Sequence, residues 1–303
     1  MQTQNEIRRL VQDSGIRLRK SLGHNFLIDR NLMNKLLETA ALAGSETVLE
    51  VGAATGSLTE ELLDRSARVV AVEIHGGLLA ILQDRLGASE NLTLIYGDVM
   101  AGKHAISPEV LAAVGPRAHM VANLPYSIGT PLVAECLLQS CRAAKTGAGG
   151  EAAGGAQAAS FDRLTFTIQQ EVADRLAAEP GGSSYGPVSV ILSLLGRLTA
   201  GWAVPASAFW PRPKINSRIV RIDFDPAKAA ALADAAMLQR FLAAAFRHRR
   251  KQIGSLLRLN ETPWPAPVLA DAIAAAGIDL EKRPQAIVPE QYLTCANVLA
   301  GGT

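Results

Sequence analysis

Cysteine is scarce: Cys136, Cys141 and Cys295 are the only three in 303 residues. An odd set with no Cys-x-x-Cys spacing builds neither a disulfide framework nor a zinc site, so no metal is expected and a reducing cytoplasm is the natural compartment. No stretch approaches the ~20 uninterrupted apolar residues that a bilayer span needs. Residues 1–9 carry early charge with no apolar segment behind them, so neither a membrane span nor a secretory signal is expected. Internal repeats are lacking too. Acidic residues are missing from two stretches, one holding Arg212, Lys214, Arg218 and Arg221, the other holding Arg240, Arg247, Arg249, Arg250, Lys251 and Arg258. The formal net charge is only +2, so the overall balance excludes nothing, while the local blocks suit a polyanion or, taken singly, a solvated helix face. What is present, 49% hydrophobic and 19% charged residues, is the composition of one large or two ordinary globular domains.

Apolar, β-rich runs recur at Thr47 to Val51, Arg68 to Ile74, Leu92 to Tyr96, His119 to Ala122 and Leu164 to Ile168. Helical spacing lies between them, as in Leu58, Leu62, Leu63 and in Leu78, Leu79, Leu82, Leu86. This alternation predicts an α/β fold with a mostly parallel sheet covered on both faces. Two further strands, Thr199 to Val204 and Arg218 to Phe224, flank the proline-rich stretch Phe209-Trp210-Pro211-Arg212-Pro213-Lys214. From Pro226 onward alanine and leucine dominate at helical spacing, which places a domain boundary there, with residues 1–225 before it and a small all-α domain, 226–303, behind it. Of the 19 residues from Arg142 to Ser160, 13 are alanine or glycine. With no large apolar side chain to bury, this segment is expected to be a mobile surface loop.

The run Val48-Leu49-Glu50-Val51 leads into Gly52-Ala53-Ala54-Thr55-Gly56-Ser57, a small-residue turn opening a helix, where a ligand can approach the backbone. Alone, such a turn is weak evidence. The next strand ends in Val72-Glu73, placing an acid about 20 residues on, where a carboxylate can accept both hydroxyls of a ribose. The third ends in Gly97-Asp98, an acid suited to the exocyclic amine of adenine or simply to capping a turn. There is no GxxxxGK[ST], no full GxGxxG and no basic cradle for phosphates. A nucleoside cofactor without phosphates fits what remains, which is S-adenosylmethionine.

Asn123-Leu124-Pro125-Tyr126 follows the fourth strand. An amide, a backbone carbonyl before proline and an aromatic ring at one sheet edge suit alkylation of a planar exocyclic amine, although an ordinary turn with a core tyrosine would read the same way. The Asn123 side-chain oxygen and the Leu124 carbonyl can hold the two N6 hydrogens of adenine so that the lone pair points at a methyl donor. Tyr126 can stack on the base, and Phe209, stiffened by the prolines after it, is expected to form the opposite face of a base that has left its stack.

These blocks make the sequence resemble the rRNA adenine N6,N6-dimethyltransferases of the KsgA type. The resemblance also rests on Lys20-Ser21-Leu22-Gly23-His24-Asn25-Phe26-Leu27, on Ser127-Ile128-Gly129-Thr130-Pro131, on Gln170-Glu171-Val172-Ala173-Asp174-Arg175, on Tyr185-Gly186 and on Phe246-Arg247-His248-Arg249-Arg250-Lys251. It implies a Rossmann-like methyltransferase domain with a small helical C-terminal domain that binds rRNA. It implies S-adenosylmethionine held by Asn25, Leu27, Gly52, Glu73, Asp98 and Asn123, and a target adenine held by Asn123, Leu124, Tyr126 and Phe209. The substrate it implies is a pair of adjacent adenosines in the 3′-terminal hairpin of small-subunit rRNA, modified late in 30S assembly by a monomeric protein.

RNA contacts are expected from Arg212, Lys214, Arg247, Arg249, Arg250 and Lys251, the last four on a basic helix. Two alternatives share these motifs, a large-subunit adenine methyltransferase of the antibiotic-resistance type and a degenerate paralogue that binds rRNA without methylating it. A small-molecule methyltransferase would not need the basic second region. Three departures from the family pattern stand out. Alanine replaces glycine at position 54, where a methyl group could strain φ or crowd the cofactor. His75 replaces aspartate and is expected to be a surface residue, and the Arg142 to Ser160 insertion has no counterpart.

Overall fold

Strands β2 (Thr47–Val51), β3 (Arg68–Glu73), β4 (Leu92–Tyr96), β5 (Arg117–Asn123), β6 (Ser160–Gln169), β7 (Gly196–Val204) and β9 (Ser217–Phe224) form one sheet in the order β4-β3-β2-β5-β6-β9-β7. The computed structural model describes residues 1–16, 18, 25–146, 158–258 and 262–301. The first five strands run parallel, and β9 pairs antiparallel with both β6 and β7. The inner strands are buried on both faces, which is why they read as unbroken apolar runs rather than as alternation. Between β2 and β5 the order reverses, and at such a switch point the carboxyl ends of parallel strands leave a crevice for a ligand.

Helices α2 (Arg30–Ala40), α3 (Ser57–Leu63) and α4 (Gly76–Leu86) bury Leu36, Leu62 and Leu82 in one cluster with Val48, Val69 and Ala71. The other face is covered by α5 (Pro108–Val114), α6 (Gly129–Thr146) and α8 (Pro187–Leu195), which follows the short α7 (Gln170–Leu176). The last strand ends at Phe224, and Asp225 caps α9 (Pro226–Ala229) by accepting from the N–H groups of Ala227 and Lys228. The core does not divide there. One buried cluster runs from Leu49 in β2 through Leu138 in α6 and Ile191 in α8 to Phe241 in α10 (Ala235–Arg247), Leu269 in α11 (Ala266–Ala275) and Tyr292 in α12 (Pro289–Gly301). The C-terminal helices are therefore a fourth layer, packed on α6 and α8. Tyr185 belongs to this joint, fully buried with its hydroxyl donating to the Ile287 carbonyl at 3.1 Å.

Several expectations are revised. The alanine- and glycine-rich segment is helical through Thr146, and Ala158 and Ala159 are buried where the chain enters β6, so both its ends are structural; residues 147–157 lie outside the described ones. The basic block is not one helix: α10 ends at Arg247, His248 leaves helical geometry, and Arg249 to Lys251 form a turn closed by the Lys251 N–H on the His248 carbonyl at 2.8 Å. His75 is half-buried at the N-cap of α4, where its Nδ1 accepts from the Leu78 N–H, because that position selects for an acceptor. The stretch Lys20 to His24 lies outside the described residues.

A two-stranded antiparallel sheet that nothing in the sequence signalled pairs β1 (Phe26–Leu27) with β8 (Phe209–Trp210). It ties the N-terminal segment to the proline-rich stretch. Beside it α1 (Gln4–Asp13) buries Ile7 and Val11 against Phe26, Leu78 and Ile81. Because the core is continuous, Phe241→Ala, which empties space against Trp264 and Tyr292, is expected to cost about 3–5 kcal/mol. Denaturant melts should show one transition displaced as a whole; an early separate loss of helix would mean that the C-terminal layer folds by itself.

Candidate active site

The carboxyl ends of β2, β3, β4 and β5 surround a cavity of about 220 Å³. Its first wall is the turn after Val51. Gly52 has φ +75°, and a Cβ there would sit 3.0 Å from Pro125 Cγ, so only glycine fits both the backbone and the space. Gly56, φ +82°, opens α3 where a Cβ would meet Leu82 Cδ1 at 2.6 Å. Between them Ala54 is held at φ +55°, so the strain expected from its methyl group is present, at a cost of roughly 1–2 kcal/mol. The conformation serves the site: it aims the Ala54 N–H at Glu73 Oε2, 2.8 Å away.

Glu73 Oε1 accepts from the His75 N–H at 2.8 Å, so each carboxylate oxygen takes one backbone donor and keeps a lone pair for a ligand. Burial pushes the Glu73 carboxyl upward, and these two N–H groups oppose that by favouring the charged form. Asp98 is exposed at the rim; one oxygen takes the Met100 N–H at 2.9 Å and the other is left to the cavity. Ile74 and Val99, each the residue immediately after one of these acids, supply apolar walls that the sequence reading missed. Their position beside the acids was the available signal. Glu50, next to the turn but outside the cavity lining, is almost wholly buried beside Thr59, and burial, helped by the charge of Glu73, pushes its carboxyl up to about 8.

Asn123 reaches the same cavity from the end of β5. Its Nδ2 donates to the Asn25 carbonyl at 2.7 Å, and its Oδ1 accepts from the Thr167 hydroxyl on β6. The Leu124 side chain is buried, and among the described residues nothing donates to the Leu124 carbonyl. Tyr126 is half-buried, with its hydroxyl 3.0 Å from the Oγ of buried Ser217 on β9. Burial pushes the Tyr126 phenol up.

The sequence-derived residues thus separate into two groups. Asn25, Gly52, Glu73, Asp98 and Asn123 line the cavity, joined by Phe26, Pro125, Ser127 and Ile128. Leu27, Leu124, Tyr126 and Phe209 are not among its lining residues. In the β1–β8 pair Leu27 lies opposite Phe209, and alternation along each strand sends both side chains into the core with Val204 and Ile219. Phe209, only 3% exposed, presents no ring face to the cavity here. Phe26 and Trp210 point the other way and stack on each other at 5.8 Å, with Arg8 above the indole. Leu27 could meet a cofactor only through its backbone. Arg212 and Lys214 are exposed on the loop after β8, and Arg247, Arg250 and Lys251 are exposed at the end of α10 and in its following turn. Arg249 joins them with its Nη2 donating to the Ser183 carbonyl at 2.8 Å.

The lining holds two carboxylates and no lysine or arginine. Such a cavity repels phosphates and suits a ligand whose charge is positive and whose hydroxyls and amine donate, which a nucleoside sulfonium provides.

Comparison with known proteins gives concordant findings. A sequence model of the family described as "Ribosomal RNA adenine dimethylase" matches residues 15–300. The chain is 32% identical over 294 residues to Ribosomal RNA small subunit methyltransferase A of Shouchella clausii, covering 96% of this chain and 92% of that one. It is 32% identical over 289 residues to the protein of the same name from Geobacillus thermodenitrificans, covering 94% and 92%. Among solved structures, a dimethyladenosine transferase from Plasmodium falciparum superposes with a TM-score of 0.66 at 21% identity, over 89% of this chain and 95% of that one. The 23S rRNA methyltransferase ErmE superposes with a TM-score of 0.56 at 23% identity, over 91% and 100%. These two establish the shared Rossmann-like fold.

Two outcomes are expected from the turn. A Glu50 that keeps its proton to about pH 8 when folded, while the unfolded chain releases it near 4.5, costs stability progressively as pH rises between those values. Glu50→Gln should therefore match the parent in thermal melts at pH 4.5, gain on it as pH rises, and level off above pH 8. Ala54→Gly exchanges the left-handed strain for about 0.4–1 kcal/mol of unfolded-state entropy. It should raise stability by up to about 1 kcal/mol; a lower melting temperature would mean that packing of the methyl group against the cluster of Ile7, Val11, Phe26, Leu78 and Ile81 outweighs the strain.

Proposed function

The chain belongs to the ribosomal RNA adenine dimethylase family, and from that premise we propose that it dimethylates N6 of two adjacent adenosines in the 3′-terminal hairpin of small-subunit rRNA, late in 30S assembly. It is an S-adenosylmethionine-dependent rRNA adenine dimethyltransferase. The observation that carries the proposal is the placing of the Asn123 amide and the unengaged Leu124 carbonyl beside a cavity whose only charged lining residues are the carboxylates Glu73 and Asp98.

S-adenosylmethionine supplies an electrophilic methyl group on a sulfonium. In this assignment Glu73 would accept from the ribose hydroxyls and Asp98 from the adenine amine of the cofactor, with Ile74, Val99, the Gly52 turn and the Asn25–Phe26 segment, which line the cavity, holding the rest of it. The adenine N6 amine of the substrate is a poor nucleophile because its lone pair is delocalised into the ring. Two acceptors, Asn123 Oδ1 and the Leu124 carbonyl, hold the two N6 hydrogens and turn the lone pair toward the methyl group. The amine becomes acidic only as the new bond forms, so the proton passes to water without a strong base. After the first transfer one hydrogen remains, and one acceptor suffices for the second. Tyr126 supplies aromatic surface for the base. The exposed cations Arg212, Lys214, Arg247, Arg249, Arg250 and Lys251 contact phosphates of a 30S precursor. The protein works as a monomer in the cytoplasm, where that precursor is found.

The test is transfer of labelled methyl groups to unmethylated small subunits, with large subunits alongside. Dimethyladenosine in small-subunit rRNA, reduced about 100-fold or more by Asn123→Ala, is expected. Labelling confined to large-subunit rRNA would move the chain to the other branch of the fold, and tight subunit binding without transfer would make it a binding protein.

A further inference from the structure

A side-chain amide distinguishes its oxygen from its nitrogen only through its neighbours, because rotating it by 180° is nearly free sterically. At Asn123 that choice decides whether the substrate amine meets an acceptor or another donor. The Asn25 carbonyl can only accept, so it claims the nitrogen. The oxygen then faces Thr167, whose hydroxyl donates to it. Thr167 is 1% exposed and lies directly opposite Asn123 in the parallel β5–β6 register, and its carbonyl accepts the Leu124 N–H at 3.3 Å. Branching at Cβ stiffens χ1 on a strand, so the direction of this hydroxyl is set by the backbone.

We propose that Thr167 is a positioning residue for methyl transfer: it occupies one lone pair of Asn123 Oδ1, pins the amide torsion, and leaves the second lone pair aimed at the substrate N6 hydrogen. The inference rests on the dimethyltransferase function above. An internal control lies two residues earlier on the same face of the same strand. Thr165 is equally buried, but its hydroxyl has no partner among the described residues.

Three variants, Thr167→Val, Thr167→Ser and Thr165→Val, separate positioning from packing in single-turnover transfer to small subunits. Thr167→Val is expected to lower the transfer rate about 10-fold or more while the Kd for S-adenosylmethionine and the KM for subunits stay within about 2-fold. Thr167→Ser, which keeps the hydroxyl, should recover most of the rate, and Thr165→Val should match the parent. The second readout is independent of activity: the Asn123 side-chain NH₂ resonances, assigned by their loss in Asn123→Ala, should broaden or shift in Thr167→Val and be preserved in Thr167→Ser and Thr165→Val. Parent-like rates in Thr167→Val, or equal losses of rate and thermal stability in both valine variants, would overturn the proposal. If the parent itself labels no small-subunit adenosine, the substrate assignment fails, and an unchanged amide signal in Thr167→Val would still refute the role of Thr167.

Discussion

The contact of Gly52 with Pro125 sets the geometry on which the rest of the site depends. One residue belongs to the turn after β2 and the other to the motif after β5, the two strands flanking the switch point of the sheet. A Cβ at Gly52 would sit 3.0 Å from Pro125 Cγ, so the Gly52 backbone lies against the Pro125 ring with no room for a side chain between them. Methyl transfer between a bound cofactor and a bound base needs such proximity, because the donor and the nucleophile must meet without a solvent layer between them. The left-handed residues at 52, 54 and 56 thread the turn through this narrow space, and Ala54 accepts strain in order to aim its N–H at Glu73.

Electrostatics complete the selection. Carboxylates with no cation favour a cofactor that is positively charged and repel nucleotide phosphates, while two acid-free basic stretches are exposed elsewhere, on the loop after β8 and in the turn after α10. Under the proposed function this division of charge matches the two partners, the carboxylates of the cavity suiting a cationic cofactor and the exposed arginines and lysines a polyanionic substrate. Asn123, at the end of β5, adds a neutral amide to the cavity lining beside the two carboxylates.

Much of this was legible in the sequence. Parallel strands buried on both faces appear as unbroken apolar runs, so β2 through β6 could be located within a few residues, and Glu73, Asp98 and Asn123 at the ends of β3, β4 and β5 marked the ligand edge. Glycine at positive φ and the Asn-Leu-Pro-Tyr motif are local signals that spacing reveals. Other features were not. The β1–β8 sheet has two residues per strand, too few for any periodicity, and it alone turns Phe209 inward and Trp210 outward. The end of α10 at Arg247 and the burial of Ala158 and Ala159 likewise depend on packing that no local pattern carries.

The sequence by itself determined the chemistry available at each strand end, because residue type and period are properties of a short stretch of chain. The tertiary structure decided which of those groups face one another. Asn123 and Thr167 are 44 residues apart, and only the register of β5 against β6 puts the hydroxyl on the amide. Asn25 and Asn123 are 98 apart, joined by the closure of the N-terminal segment over the sheet. How the helices after Pro226 attach was decided in the same way: burial is settled by what packs on a helix face, and α10 and α12 share one core with α6 and α8.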